Sequence, residues 1–550
     1  LSWQYAAIIA AVQLAVFLFY VLTELHQNGK LGFPLDDPWI HLTFARNLAR
    51  GWGFAFNHGE PVQGSSAPLW TLLLAFFHLF TRSTFAMVWI AKILGAVFLY
   101  VAALFAARIA LAITQQRWAG LACGLAIATL SHFGWAMVSG MEVTLSVALC
   151  LAGAYYHVVP QRGWRQYLPW VFFALAVYTR PEALMLAGFL IVDILVRRWA
   201  FRRAAGRHGG LPLLRGLGVY LLALAPYLIL NLALVHSIFP QTYIAKVGRT
   251  SIFAALATHD WEQIEYLLFK MPTMYLGGFV THLWQANPVL MLLGMVGLVV
   301  LAVQFFKRKG GASLLIPLVA FFYPQFLGMT APFVSPAFQT GRYLGSPVAL
   351  AVVLSIAGAA YLLNRIRRRM VMLAAAGVLA LLTLSNMAVT GIGTAGITAK
   401  AESSINRIQV AIGEWLAVNT APDAVIACND VGAIGYFANR EILDLLGLVT
   451  PEVMKYRKKY EVGQENFAGR EFVFARKPDY LVIIPSWFPN LEKTDFLVPV
   501  YGVDLPDNYA SQYDFHPRVR TVLGILVTGL ELDPIRSTMV VYKPDWSKAH

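Results

Sequence analysis

The 550 residues are 58% hydrophobic and only 13% charged, with a mean hydropathy of +0.60. A soluble protein carries about twice that charged share, so the composition excludes a soluble globular enzyme and reads as a polytopic membrane protein. The net charge of +14 is spread over short basic runs between apolar stretches, a topology signal of the positive-inside kind rather than a nucleic-acid surface.

In chain order, the apolar run from Gln4 to Leu22 has neither a basic leader nor a small-residue cleavage site after it and reads as a retained helix. Further stretches of span length lie near 84–113, 117–135, 141–159, 167–179, 181–199, 214–236, 286–306, 312–330, 342–363 and 370–390, giving about 11 transmembrane helices. The stretch at 167–179 is short for a span. The basic markers are Arg117, Arg162 and Arg165, the stretch Arg197 to Arg215, Lys307-Arg308-Lys309, and Arg365 with Arg367 to Arg369. They fall on one side only if Ala67 to Phe80 does not span, so that segment is read as re-entrant or interfacial. The N-terminus is then cytoplasmic, and residues 23–83, 237–285 and everything beyond about 391 are external.

After Thr390 the charge rises and the pattern shortens. Val425 to Ala427, Glu441 to Leu446, Tyr480 to Ile484 and Met539 to Tyr542 read as strands and Asn406 to Val418 as an amphipathic helix. The expected organisation is a transmembrane domain over 1–390, with its first external loop at 23–83, followed by an external soluble α/β domain over 391–550. Cys123, Cys150 and Cys428 imply neither a disulfide framework nor a zinc site. No Walker loop, dinucleotide fingerprint, HExxH or GxSxG elbow is present, and no nucleotide cofactor is expected.

The chemistry-bearing groups gather at the predicted outer edge. Asp36 and Asp37 are adjacent carboxylates just beyond the first helix, placed either to act as a general base with its partner and to help hold Mg or Mn, or to cap the helix that Asp-Pro-Trp-Ile-His begins. His41 shares a helical face with Asp37, while Arg46 and Arg50 share another at i,i+4 spacing, where solvated arginines are the plain reading. Glu142 enters an apolar helix either as a second acidic group or as a first-turn acid favoured by the helix dipole. Arg180 stands beside Glu182 and within reach of a brace to either glutamate. Lys246 and Arg342 are cations at predicted membrane edges, suited to snorkelling or to a lipid phosphate.

Taken together, the run from Asp36-Asp37-Pro-Trp-Ile-His41 through Arg46-Asn47 and Arg50-Gly-Trp-Gly to Asn57-His-Gly-Glu60-Pro-Val-Gln-Gly64 resembles the first external loop of bacterial GT-C glycosyltransferases. It is closest in motif to the mycobacterial arabinofuranosyltransferase branch. Ser139 to Glu142, Thr179 to Glu182, Pro240 to Lys246 and Gly341 to Tyr343 look like further motifs of that group, and Asn429 to Pro451 resembles the external domain behind many such proteins. Where the arabinosyl branch usually carries a small or aromatic residue followed by Ile-Ser or Ile-Thr, this chain has Pro-Trp-Ile-His.

The resemblance implies a bacterial inner-membrane transferase moving a sugar from a polyprenyl-phosphate donor to a hydroxyl on a lipid, glycan or protein acceptor at the external face. Asp36 is the first choice of base, with Asp37 and Glu142 orienting the sugar or a cation. His41, Arg46, Arg180, Tyr243, Lys246, Arg342 and Tyr343 are the implied substrate-binding residues, Lys246 and Arg342 meeting the departing phosphate. Asp36→Asn is then expected to abolish transfer with stability retained, whereas loss of folding marks the helix-cap reading. The alternative is a non-catalytic protein, a structural subunit or transporter keeping a GT-C scaffold; the halves do not match as a transporter's repeats do.

Overall fold

The computed structural model describes residues 2–201, 210–248, 250–307, 313–332, 338–460, 465–492, 494–503, 515–522, 525–532 and 539–548. Of the basic markers, Arg202, Arg203, Arg207, Arg308 and Lys309 lie outside the described residues. Four helices open the chain: α1 (Trp3–Asn28), α2 (Asp37–Ala49), α3 (Pro68–His78) and α4 (Thr84–Thr114). The chain divides into two compact units, one of Leu1–Thr23, Lys92–Tyr227 and His259–Gly396, the other of Glu24–Ala91, Leu228–Thr258 and Ile397–His550.

The protein is a largely helical, multi-pass membrane protein with a C-terminal mixed α/β region, a GT-C-like fold. Among the described residues six helices are long and apolar enough to cross a membrane: α1, α4, Leu213–Val235, Pro288–Phe306, Gln339–Leu363 and Arg369–Asn419. The pair Arg117–Thr129 and Ser131–Val138, bent by 55°, makes a seventh if it is one span. The other expected segments fall on Val143–Val158, Leu168–Val177, Leu184–Ala200 and Leu315–Thr330, helices of 16, 10, 17 and 16 residues. At 1.5 Å per residue these rise about 15–26 Å, less than a hydrocarbon core of about 30 Å. The apolar stretch at Ala67 to Phe80 forms α3, whose 11 residues rise only about 16 Å.

Within the first unit the helices approach through glycine. A Cβ on Gly297 would lie 1.8 Å from the Leu354 carbonyl oxygen, and one on Gly358 would lie 2.1 Å from that of Leu293. The helices Pro288–Phe306 and Gly345–Leu363 therefore touch backbone to backbone, the small-residue packing that substitutes for a hydrophobic driving force between helices in lipid.

The second unit is built on a five-stranded sheet of order β2-β1-β3-β7-β4, from β1 (Val425–Cys428), β2 (Glu441–Asp444), β3 (Tyr480–Ile483), β4 (Leu497–Val503) and β7 (Met539–Pro544). β1 pairs parallel with β2 and β3; β7 runs antiparallel between β3 and β4. β5 (Phe515–Val522) and β6 (Ile525–Leu532) form a separate antiparallel hairpin. The four expected strands are all present, and the expected helix is a π turn, Asn406–Val410, continued by Ala411–Asn419. β4 escapes sequence reading because it is an edge strand carrying Pro499, where the register shifts.

The first loop is part of this sheet's core. Phe44, Phe56 and Val62 are buried in one cluster with Ile426, Leu443 and Leu481. The Asn57 amide copies a strand partner: its Nδ2 donates to the Ile442 carbonyl at 2.9 Å and its Oδ1 accepts from the Ile442 N–H at 3.0 Å. Gly64 is required by contact, since a Cβ there would lie 2.8 Å from the Leu448 carbonyl oxygen. At the end of β2 the buried Asp444 carboxylate accepts from the Leu446 and Val449 N–H groups at 2.8 and 2.9 Å, folding the turn that meets Gly64.

Asn57→Ala leaves the buried Ile442 N–H without its side-chain partner and its C=O with only the Thr450 hydroxyl at 3.3 Å, at about 1–3 kcal/mol. Thermal unfolding of the full chain should show that loss, and an unchanged midpoint would mean that the amide adds nothing to the sheet edge.

Candidate functional site

Asp36 immediately precedes α2 and Asp37 is its first residue, with Pro38 in the first turn. The Asp36 side chain does not cap α2. It reaches instead across 396 residues of sequence to the helix Gly432–Ala438, where Oδ2 accepts from the Gly432 N–H at 2.7 Å and Oδ1 from the Ala433 N–H at 2.8 Å. A Cβ on Gly432 would sit 2.1 Å from the Asp36 carbonyl oxygen, so only glycine allows the approach.

Asp36 is buried, while Asp37 is half-buried. Burial foremost, and then the neighbouring Asp430 carboxylate, raise Asp36 well above the usual carboxylate range against the opposing pull of the two N–H donors; Asp37 adds a smaller upward push. Asp430 is itself fixed by the Gln409 amide, which donates to its Oδ2 at 2.9 Å. Among the described residues no group of three or more His, Cys, Asp or Glu side chains is placed to hold a metal ion. The two N–H donors facing Asp36 are the partners of an anion cap rather than of a cation ligand, and the donor set does not fit a metal there.

His41 is buried on α2, its Nδ1 2.9 Å from the Ser65 Oγ, which is 2.8 Å from the Thr71 Oγ1. Arg46 lies nine residues along the helix from Asp37, about 13 Å at 1.5 Å per residue, and its Nη1 donates to the Tyr436 carbonyl at 2.8 Å. Tyr243 and half-buried Lys246 lie on the short helix Gln241–Val247, Tyr243 stacked on Phe239 at 4.7 Å and Gln241 donating to the Gly447 carbonyl at 2.7 Å.

In the first unit the remaining expected residues converge. Arg180 bridges two glutamates, Nη2 at 2.8 Å from the Glu142 Oε1 and Nη1 at 3.1 Å from the Glu182 Oε1. Its guanidinium lies 4.8 Å from the Tyr343 ring centre; Arg342 lies 5.0 Å from the same ring and donates to the Tyr343 hydroxyl at 3.1 Å. Arg180 thus braces Glu142 and Glu182, as its sequence neighbourhood suggested. Glu142 is buried and does not cap its own helix. Sequence reasoning missed a buried pair in this unit, His132 Nδ1 and His282 Nε2 at 3.1 Å. His282 packs against Gly341, whose φ of +70° and lack of a Cβ make room for the ring. The one signal available in the sequence was Gly341 itself, beside Arg342 in an apolar stretch.

Comparison with known proteins supports this fold. A domain of unknown function, DUF8728, matches residues 400–542. No curated protein matches the chain in sequence. Among solved structures, the Archaeoglobus fulgidus oligosaccharyltransferase AglB with an inhibitory peptide and a dolichol-phosphate is similar with a TM-score of 0.56 at 12% identity, covering 86% of this chain and 69% of that one. The same enzyme tethered to an acceptor peptide containing the NVT sequon gives 0.56 at 14% identity, over 98% and 76% of the two chains. ArnT from Cupriavidus metallidurans bound to undecaprenyl phosphate gives 0.51 at 13% identity, over 98% of both.

The capping geometry reverses the stability expected of Asp36→Asn. An asparagine offers one acceptor to two N–H donors, and the orphaned buried N–H costs about 1–3 kcal/mol. The pH dependence has a definite sign. A carboxyl whose folded pKa is raised contributes its stability below the unfolded value of about 3.9 and loses it as pH rises through the folded value. Denaturation across pH 4–8 should show the variant's deficit widest at the acid end and narrowing upward; a deficit that widens with pH would mean that Asp36 is ionised at the acid end.

Proposed function

We propose that the chain is a GT-C-type transferase that moves one sugar from a polyprenyl-phosphate donor to an acceptor hydroxyl at the external face of a bacterial inner membrane. The observation that carries this reading is the division of labour within the acidic pair. Asp36 is consumed by the Gly432 and Ala433 N–H groups, whereas Asp37 stays half-buried at the start of a helix that the second unit holds rigidly. Asp37 is therefore the base and Asp36 the residue that positions it.

Asp37 takes the proton of the acceptor hydroxyl as its oxygen attacks the anomeric carbon; the bond from that carbon to the phosphate oxygen breaks, and the electron pair leaves with the polyprenyl phosphate. Lys246, in the same unit as Asp37, is the proposed cation for that phosphate, a role in which charge stabilisation lowers the barrier. His41, locked to Ser65, orients α2's polar face. The AglB and ArnT structures, solved with dolichol-phosphate and undecaprenyl phosphate, support a lipid-phosphate donor. The first-loop motif supports an arabinofuranosyl donor as the first to test.

One observation favours a second reading. Asp36, Asn57 and Gly64, which carry much of the first-loop motif, all make structural contacts within the second unit, as a non-catalytic scaffold subunit would require.

A single substitution separates the two. Purified protein incubated with a panel of polyprenyl-phosphate sugars should transfer or release sugar, and Asp37→Asn should cut that activity by about 10²–10⁴-fold, the usual worth of a general base, with the unfolding midpoint unchanged. Activity within a few-fold of wild type would remove Asp37 as base; no turnover on any donor would favour the scaffold. The positive-inside pattern supports an external C-terminus, and a reporter fused after His550 should read external; a cytoplasmic signal would overturn that topology.

A further inference from the structure

A cavity of about 270 Å³ opens in the second unit where the end of α2, the end of α3 and Tyr436 meet, and its walls carry Arg46, Arg50, Arg82 and His78. Among the described residues no carboxylate lines it. It is smaller than the roughly 300–1,000 Å³ of a drug-sized site, a size for a headgroup rather than a whole ligand.

Two buried polar atoms in its wall have no protein partner, Arg46 Nε and His78 Nε2, and His78 is only 8% exposed. Arg46 is held from the other side, by its bond to the Tyr436 carbonyl and by the Tyr436 ring 4.8 Å from the guanidinium carbon. Burial foremost, with Arg50 as a like charge, lowers Arg46 to about 10. This half-buried guanidinium sits among other guanidiniums with no carboxylate in the cavity wall.

An apolar stripe adjoins the cavity. Leu72, Phe76 and Phe80 recur at i,i+4 spacing along α3 and just beyond it, and all are exposed, Phe80 by 73%. Leu79 and Phe80 line the cavity themselves. Residues 78–82 immediately precede the membrane-crossing helix α4, which begins at Thr84. Cations beside an exposed apolar stripe at the mouth of a span match a lipid, with charge for the headgroup and hydrocarbon for the tail.

We propose that this cavity binds the phosphate headgroup of an anionic membrane lipid, with the Leu72, Phe76 and Phe80 stripe against its tails. Arginine is suited to the task because its fork donates to two phosphate oxygens at once. The inference does not depend on the transferase reading and places no chemistry at this site.

The test uses the full chain in nanodiscs of phosphatidylcholine doped with phosphatidylglycerol, with retained lipid counted by native mass spectrometry. Arg50 and Arg82 are exposed, so the double variant Arg50→Gln/Arg82→Gln should fold with an unchanged unfolding midpoint, and Lys455→Gln serves as an exposed-charge control. Wild type and the control should retain phosphatidylglycerol in preference to phosphatidylcholine, and the double variant at least tenfold less. Equal retention by the double variant, or no preference in wild type, overturns the proposal. Inorganic phosphate should not displace the lipid; if it does, the site takes soluble phosphate and the lipid assignment fails.

Discussion

The Asp36 carboxylate on the Gly432 and Ala433 N–H groups is the contact on which the second unit turns. It joins the segment just after the first membrane helix to the helix that connects β1 to β2. The two N–H bonds fix both backbones, since Gly432 admits nothing larger than hydrogen against the Asp36 carbonyl. Asn57 on β2 and Gly64 on the turn after it repeat the principle: the loop supplies what the sheet edge lacks. A segment that reads as a loop is thereby as fixed as a strand.

This explains what the sequence could disclose. β1, β2, β3 and β7 are short apolar runs bounded by turn residues and are legible without a partner, as is α2 from its Asp-Pro start. The spans with full-length apolar helices are equally plain, and the segments read at 141–159, 167–179 and 181–199 each hold one helix, though of only 16, 10 and 17 residues. The roles of Asp36, Arg46 and the His132 and His282 pair were hidden for one reason: each is set by a group 150 or more residues away. Helical spacing put Arg46 on a face different from Asp37, but only Tyr436 shows what that face meets.

The first unit carries a complementary constraint. Arg180, Arg342, Glu142 and Glu182 together carry no net charge, and Tyr343 takes both guanidiniums on one ring. Removing one member of a buried ion pair strands its partner at several kcal/mol, far more than the intact pair contributes. Such a cluster stays intact on structural grounds alone, so its presence is weak evidence for chemistry and its geometry is the stronger guide.

The acidic pair is divided by its surroundings, Asp36 buried and Asp37 half-buried. Two carboxylates one residue apart have the same chemistry in isolation, yet the chain turns into a helix between them and sends them to different surroundings. The buried one accepts from the Gly432 and Ala433 N–H groups and ties the helix start to the helix Gly432–Ala438; the half-buried one, which we propose as the base, begins the helix so held. A general base is useful in proportion to how closely its oxygen is held to a reactive geometry, because misplacement by about 1 Å can cost two orders of magnitude in rate. On the proposed reading, adjacent acidic residues are a compact way to separate holding from reacting.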